Sequence, residues 1–541
     1  MKTVLVKGVL LPVLLVALSA SASADLPLVE MRKTIDQGVD YLLSKQEDSG
    51  KWTYEPSTGY DVGMTALCTL ALSHTRLPRA SAAVQKGLAW VTQQPPEGRT
   101  YSVGLIQMLL FENGGSRHAR LVDVYGWMTV VSQQRAGDGE GQWGYSLLVP
   151  TPQTTPSTVP PLAPGYADHS NGQLGILALW YAQRSGYQVP KKVWQRAKEH
   201  YERTQLPDGG WTYAVTAGRE STVSMTPAST VSLYLCDEAL AGYEKTHQCR
   251  MTPENPAVER GMTWVGEHKI TWPAPYTWYA IERLGILTGR SEFGGRNWME
   301  EGAGQLVKTD WTREGRDPKV DTAFAVLFLA RALEPVIINK LKHKGDWNND
   351  RYDVKKLTEY IGEKFQYPKQ WRIVTLEASV DELLKVPILY VNGHEALEFT
   401  DAEKTKLREY VNRGGTLFGM ACCGRKPFDE SFRALVAELW PDDKLKPLPK
   451  THTIFDNPRP LVTKPLLLGL ELGAHNGRLG VIYSPYDMCC RWDRGGEAAK
   501  GVYDVGANIY FYVTKEGVKL GGVREGYAGH TAGADEVPAP R

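Results

Sequence analysis

The chain has 541 residues, enough for two or three domains of ordinary size. Its 62 lysines and arginines stand against 61 aspartates and glutamates, a formal net charge of +1. With no basic excess or basic run, the composition argues against tracking nucleic-acid phosphates or an anionic membrane, and points to neutral or amphipathic molecules and other proteins as partners.

The first segment is MKTVLVKGVLLPVLLVALSASASA, with Lys2 and Lys7, an apolar run from Val9 to Leu18, then Ala22-Ser23-Ala24. This is the layout of a secretory signal cut after Ala24, since the apolar run falls short of the roughly 20 residues that span a bilayer. Residues 1–24 are therefore expected to be a signal peptide. The rest would be exported, periplasmic or attached to the cell envelope, with no transmembrane segment after cleavage.

From about residue 30 to 335 one unit recurs at about 50 residues: an amphipathic helix, a polar turn, then a helix rich in Ala, Leu and Gly. IDQGVDYLLSKQEDSGKW with DVGMTALCTLALS is one copy, WQRAKEHYERTQLPDGGWTY with TVSLYLCDEALAGY another, and six can be counted. Three turns share a pattern: Gln46 to Trp52, Gln134 to Trp143 and Gln205 to Trp211. Glycine closes each turn, the Gln amide can bond a neighbouring helix end, and the Trp packs on the next unit. These turns resemble the Gln-Trp turn of the terpenoid cyclase and protein prenyltransferase superfamily, which implies an α/α toroid of six helix pairs.

That superfamily's chemical equipment is missing. There is no D-x-D-D acid and no C-G-E-Q, and the D-x-C at Asp487-Met488-Cys489 lies far outside the ring. Terpenoid cyclisation or prenyl transfer is kept as a second alternative only. Twelve of the 16 tryptophans fall in the ring region, so it could line a cavity for a lipid or peptide. The plainer account is that Trp90, Trp127, Trp180 and Trp264 pack repeat against repeat. VPTPQTTPSTVPPLAPG, too rich in Pro and Thr for regular structure, reads as an exposed loop or lid.

After residue 345 helices alternate with short β-branched strands. The pattern predicts helices at 354–364, 380–385, 402–413, 428–439 and 499–514, and strands at 371–377, 387–392, 415–420 and 478–484. Such alternation means a parallel sheet covered on both faces, with ligands beyond the carboxyl ends of its strands. VPILYVNGHEALEFTDAEKTKLREYVNRGGTLFGMACCG, then GRLGVIYSPYDMCCRWD and GANIYFYV, resemble the bacterial domain of unknown function 4159 family. The resemblance implies a class I glutamine amidotransferase-like fold and an extracytoplasmic setting, and supplies no activity. The expected organisation is thus a toroid over 25–335, a linker over 336–350, a doubly wound α/β domain, flavodoxin-like or amidotransferase-like, over 351–518, and a disordered tail over 519–541.

The turn after the 415–420 strand carries Cys422 and Cys423, where an amidotransferase-like fold would place a nucleophile on an elbow with small flanking residues. Cys422 has Gly424 after it but Met420 before; Cys423 has Ala421 before and Arg425 after. Each is half a match. A reactive thiol needs a base; His394 and His452 are the candidates, and no H-x-E pair follows residue 345. Glu395, Arg425, Asp487 and Arg491, with Asp493, could bind an anionic or sugar ligand, or simply pair with one another.

Seven cysteines are few for an exported chain. Cys68 reads as a free buried thiol, and Cys236 with Cys249 flanks a loop and could pair. The vicinal pairs Cys422-Cys423 and Cys489-Cys490 follow strands on one sheet edge, so an oxidising compartment would favour a disulfide between the two turns. A four-thiolate metal site is the weaker alternative, for want of C-x-x-C spacing. The expectation is therefore no metal and no cofactor. By elimination the reading is a non-catalytic binding or scaffolding protein for a protein, peptide or lipid ligand. The alternative is a cysteine-dependent hydrolase or amidotransferase.

Overall fold

A computed structural model describes residues 22–151, 165–214, 220–243, 249–251, 253–312, 317–364, 368–472, 477–496 and 499–515. The expected signal peptide and Pro/Thr-rich loop lie for the most part outside these residues, and the expected tail wholly so.

The helical half contains α1 (Ala22–Ser44), α2 (Asp61–Thr75), α3 (Ser81–Gln93), α4 (Thr100–Glu112), α5 (Ala119–Val131) and α6 (His169–Arg184). It continues with α7 (Lys191–Thr204), α8 (Met225–Ala241), α9 (Pro256–Glu267), α10 (Pro275–Thr288), α11 (Trp298–Leu306) and α12 (Pro318–Ala332). The even-numbered helices are apolar on nearly every face and almost entirely buried; the odd-numbered ones keep a polar face to solvent. Each even helix packs on the next even helix, and α12 packs back on α2, so six of them close a ring. A two-residue hairpin, β1 (Glu292–Phe293) with β2 (Arg296–Asn297), joins α10 to α11.

The repeated turns explain how each unit attaches to the next. Gln46 Nε2 donates to Gly50 O inside its own turn (3.0 Å) and to Ala83 O of α3 (2.9 Å). Gln205 repeats this with Gly209 O and Ala257 O, both at 2.8 Å. In the third turn the residue in this role is Gln133, bonded to Gly141 O (3.1 Å) and Val193 O (2.9 Å). Gln134, the residue expected from the pattern, turns instead to Tyr166 O. Gly50, Gly141 and Gly209 all have φ near +90°, and a Cβ on any of them would strike a backbone carbonyl of the next unit. Trp52, Trp143 and Trp211 are fully buried, each indole N–H bonded to a carbonyl of the preceding helix.

Side chains fill the centre of the ring. Arg283 of α10 is buried and donates to Tyr279 Oη (2.6 Å) and Tyr181 Oη (3.0 Å), with Met108 Sδ of α4 at 3.3 Å. In the inner ring, 14 of the 16 residues of α6 are buried. Between α6 and α7 a histidine pair is sealed in: His169 Nδ1 meets Thr212 O (2.7 Å), His200 Nδ1 meets Glu140 O (2.8 Å), and the two Nε2 atoms are 3.2 Å apart.

The second half is a seven-stranded sheet in the order β4-β3-β5-β6-β9-β8-β7. Its strands are β3 (Val336–Leu341), β4 (Gln370–Val374), β5 (Ile388–Gly393), β6 (Thr416–Ala421), β7 (Lys446–Pro447), β8 (Leu468–Glu471) and β9 (Leu479–Ser484). β4, β3, β5, β6 and β9 run parallel, and β8 and β7 extend the edge antiparallel. Helices α13 (Asp353–Lys364), α17 (Cys489–Arg494) and α18 (Lys500–Lys515) cover one face; α14 (Val380–Leu384), α15 (Asp401–Asn412) and α16 (Lys426–Leu439) cover the other. β5, β6 and β9 are buried at every position, as two-sided cover requires.

One boundary differs from expectation. The stretch expected as a linker at 336–350 opens with β3, an interior strand of the sheet, so the helical ring runs into the sheet with almost no spacer. The two halves are joined by largely buried ion pairs: Arg184–Glu359 (2.6 Å), Lys355–Glu238 (2.7 Å) and Arg351–Glu254 (2.8 Å).

Two outcomes test this packing. Trp211→Ala should cost about 3–5 kcal/mol, read as a lowered urea midpoint. Burial holds the His169 pKa down to about 4, and burial with the charge of His169 holds His200 down to about 3. The unfolded chain takes up those protons near the ordinary histidine value of about 6.5, so stability should fall as pH drops from about 6.5 towards 4. Urea midpoints at pH 7 and pH 5 should show the drop, and a His169→Gln/His200→Gln variant should flatten it.

Candidate metal centre

Four neighbouring parallel strands deliver their carboxyl-terminal turns to one place. β3 leads into the segment carrying Asp346 and Asp350, β5 ends at His394, β6 ends at Cys422-Cys423, and β9 leads to Cys489-Cys490 at the start of α17. A fifth element comes from the helical half: Cys249, between α8 and α9, reaches across to the same point.

The atoms converge closely. Cys249 Sγ lies 3.0 Å from Cys422 Sγ and 3.3 Å from His394 Nε2. Cys423 Sγ lies 3.7 Å from Cys490 Sγ. Asp350 Oδ2 sits among three sulfurs, at 3.1 Å from Cys422, 3.5 Å from Cys249 and 3.6 Å from Cys490. Asp487 Oδ1 accepts from Cys489 Sγ and from the Cys490 backbone N–H, both at 3.1 Å. His394 Nδ1 is 3.1 Å from Asp346 Oδ2, and Asp346 also accepts the His394 backbone N–H, so the ring is held with Nε2 facing the sulfurs.

Lys340 organises the carboxylate segment. This fully buried side chain of β3 contacts Asp353 Oδ1 (2.6 Å), Asp350 O (2.7 Å) and Asn348 Oδ1 (2.9 Å), pinning the backbone that presents Asp350. On the other side of the cluster, Cys423 adopts φ 52°, ψ 17°, a left-handed conformation shared by only one other non-glycine among the described residues, Arg76. That strained turn rotates the Cys423 side chain outward, so it is exposed while Cys422 is buried.

The thiols influence one another's protons. Hydrogen bonds from Cys422 and then Cys490 favour the Cys249 thiolate and lower its pKa. Cys422 moves upward, chiefly through its bond to Cys249, and burial raises Cys489. Five thiols and two carboxylates in such contact cannot ionise together without a cation among them. Thiolate and imidazole are ligands that soft ions of the zinc class select. In a tetrahedral site with metal–sulfur bonds of about 2.3 Å, ligand atoms sit about 3.8 Å apart, close to the separations here.

Several expectations change accordingly. The vicinal pairs are neighbours, as their strand positions implied, but all seven cysteines are free thiols, so none of the expected disulfides is formed. Cys236 is buried within α8, while Cys249 turns to the α/β half instead of pairing with it. Beside the expectation of no metal ligands stand two groups of Cys, His and Asp side chains whose ligand atoms lie within 4.8 Å of one another, close enough to share an ion. His452 caps the short turn at Thr453–Phe455 and packs on Tyr512. Glu395, Arg425 and Arg491 are exposed at the rim, and Asp493 Oδ1 accepts the Tyr352 backbone N–H. Asp346, Asp350 and Lys340 were not singled out from the sequence; their signal was only a polar DWNND stretch and a lysine inside a β-branched run.

Lys340→Met leaves the Asp353 carboxylate buried without its partner and should cost about 3–5 kcal/mol in urea unfolding, with Lys340→Met/Asp353→Leu recovering most of it.

Residues 337–514 match the family described as domain of unknown function (DUF4159). No curated protein matches the chain at a significant level. Among solved structures, the chain is similar to a type II terpene cyclase, MstE, from Scytonema, in complex with its substrate geranylgeranyl dihydroxybenzoate, at 12% identity and a TM-score of 0.36 over 57% of this chain and 98% of that one. A second variant in complex with the same substrate gives 12% identity and a TM-score of 0.37 over the same shares. The apo enzyme gives 12% and 0.36, over 56% of this chain and 98% of its own.

Proposed function

We propose that the protein is an exported binding protein, an α/α toroid joined to a flavodoxin-like, amidotransferase-like domain, whose ligand is a soft metal ion of the zinc class. The observation that carries this reading is the convergence of Cys249, Cys422, Cys423, Cys489 and Cys490 with His394, Asp350 and Asp487 in two sets whose ligand atoms lie within 4.8 Å of one another, with Cys249 3.0 Å from Cys422 and 3.3 Å from His394, and Cys423 3.7 Å from Cys490. A carboxylate behind the imidazole, Asp346, supplies the outer support that metal-bound histidines use. The strand order, with β3 between β4 and β5, supports the flavodoxin-like reading, in which ligands bind beyond the carboxyl ends of the strands, where this centre lies. The filled ring supports a structural role for the helical half. Export sharpens the reading, because five adjacent thiols resist oxidation outside the cytoplasm when an ion holds them as thiolates.

The second reading is a cysteine nucleophile, favoured by the left-handed backbone and exposure of Cys423 on the turn after β6. Against it, the His394 imidazole lies 3.3 Å from Cys249, and Cys423 Sγ lies 3.7 Å from Cys490 Sγ.

Elemental analysis of the purified protein should find bound zinc or a similarly soft ion. Iodoacetamide should label the cluster slowly, and at least about tenfold faster once a chelator strips the metal. Acidification should release the ion, because thiolates must be protonated to let go. Fast labelling confined to Cys423 in protein that is purified without any bound ion and takes up none on reconstitution would overturn the metal reading in favour of the nucleophile.

A further inference from the structure

We propose that the centre holds two cations, not one, joined by the sulfur of Cys422, with an outer site completed by Cys249, Cys423 and His394 and an inner site by Cys489, Cys490 and a carboxylate. This rests on the metal-binding reading and adds its nuclearity and its division of labour.

The ligand atoms sort themselves into two sets. Cys249, His394, Cys422 and Cys423 each offer an atom within 4.8 Å of the others, and so do Asp350, Asp487, Cys422, Cys489 and Cys490. Cys422 alone belongs to both. Two tetrahedra sharing one vertex need seven ligands; the sets supply eight side chains, which leaves one carboxylate to accept hydrogen bonds from outside the coordination shell. A thiolate sulfur has lone pairs enough to bridge. Cys422 sits at the end of β6, between the turns that follow β5 and β9, and is completely buried.

Charge leads to the same count. Five thiolates and two carboxylates carry seven negative charges; one dication would leave five uncompensated in a largely buried site, two dications only three. The surroundings also distinguish the positions. Asp350 and Cys489 are completely buried and Cys490 is nearly so, whereas Cys423 is exposed and Cys249 and His394 are half-buried. The inner ion is therefore shielded, and the outer ion can exchange with solvent.

The test is elemental analysis of the full chain after reconstitution with Zn²⁺ and removal of excess, with protein quantified by amino-acid analysis. Two ions per chain are expected, and a mild chelator should take one quickly and the other slowly. Cys423→Ala, at an exposed position that leaves packing untouched, should retain one slowly released ion, and so should Cys249→Ser. One ion in the unaltered protein would overturn the shared-sulfur arrangement while leaving metal binding intact; no ion would overturn both. Two tightly held ions in Cys423→Ala and Cys249→Ser alike would overturn the assignment of the outer site. Titration of the apoprotein with Co²⁺, followed by thiolate-to-cobalt absorption, gives an independent count that should saturate at two equivalents.

Discussion

Parallel strands can be connected only by a crossover over the face of the sheet, so the turns after β3, β5, β6 and β9 all open on one edge. These strands are consecutive in space, about 4.8 Å apart, and their turns are forced into mutual contact. Asp350, His394, Cys422 and Cys490 lie 28 to 140 residues apart along the chain, and the order β3-β5-β6-β9 brings them together. The cluster is thus a consequence of strand order, with the Lys340–Asp353 contact holding the long segment between β3 and α13.

The helical half is no passenger. Its ring is closed by α12 on α2 and filled by Arg283, Tyr279, Tyr181 and Met108, which makes it a stiff body. Stiffness matters because the α8–α9 connection carries Cys249, and buried ion pairs such as Lys355–Glu238 fix the ring against the sheet on the same side. A sulfur placed to within a few tenths of an ångström needs such a frame.

Legibility followed locality. The repeated turns were readable because glutamine, glycine and tryptophan recur within a few residues of one another; the one slip, Gln134 for Gln133, arose where the turn lengthens and the neighbouring glutamine competes for the same slot. Most strands and helices after residue 345 fall within two or three residues of expectation, because their apolar runs are short and well bounded. β3 escaped because Asn339 and Lys340 interrupt it, and a fully buried lysine is rare enough to read as surface. The vicinal cysteines could be placed side by side from strand positions alone. Cys249 could not, since nothing in its own neighbourhood encodes a partner 173 residues away.

That distant thiol has a temporal consequence. The outer shell proposed above could not be finished while either half was still unfolded or undocked, since the Cys249 sulfur arrives only when the ring is seated against the sheet. Under the proposed division, filling of the outer site would come last in maturation, and a centre loaded at both sites would certify that both halves had reached their final arrangement.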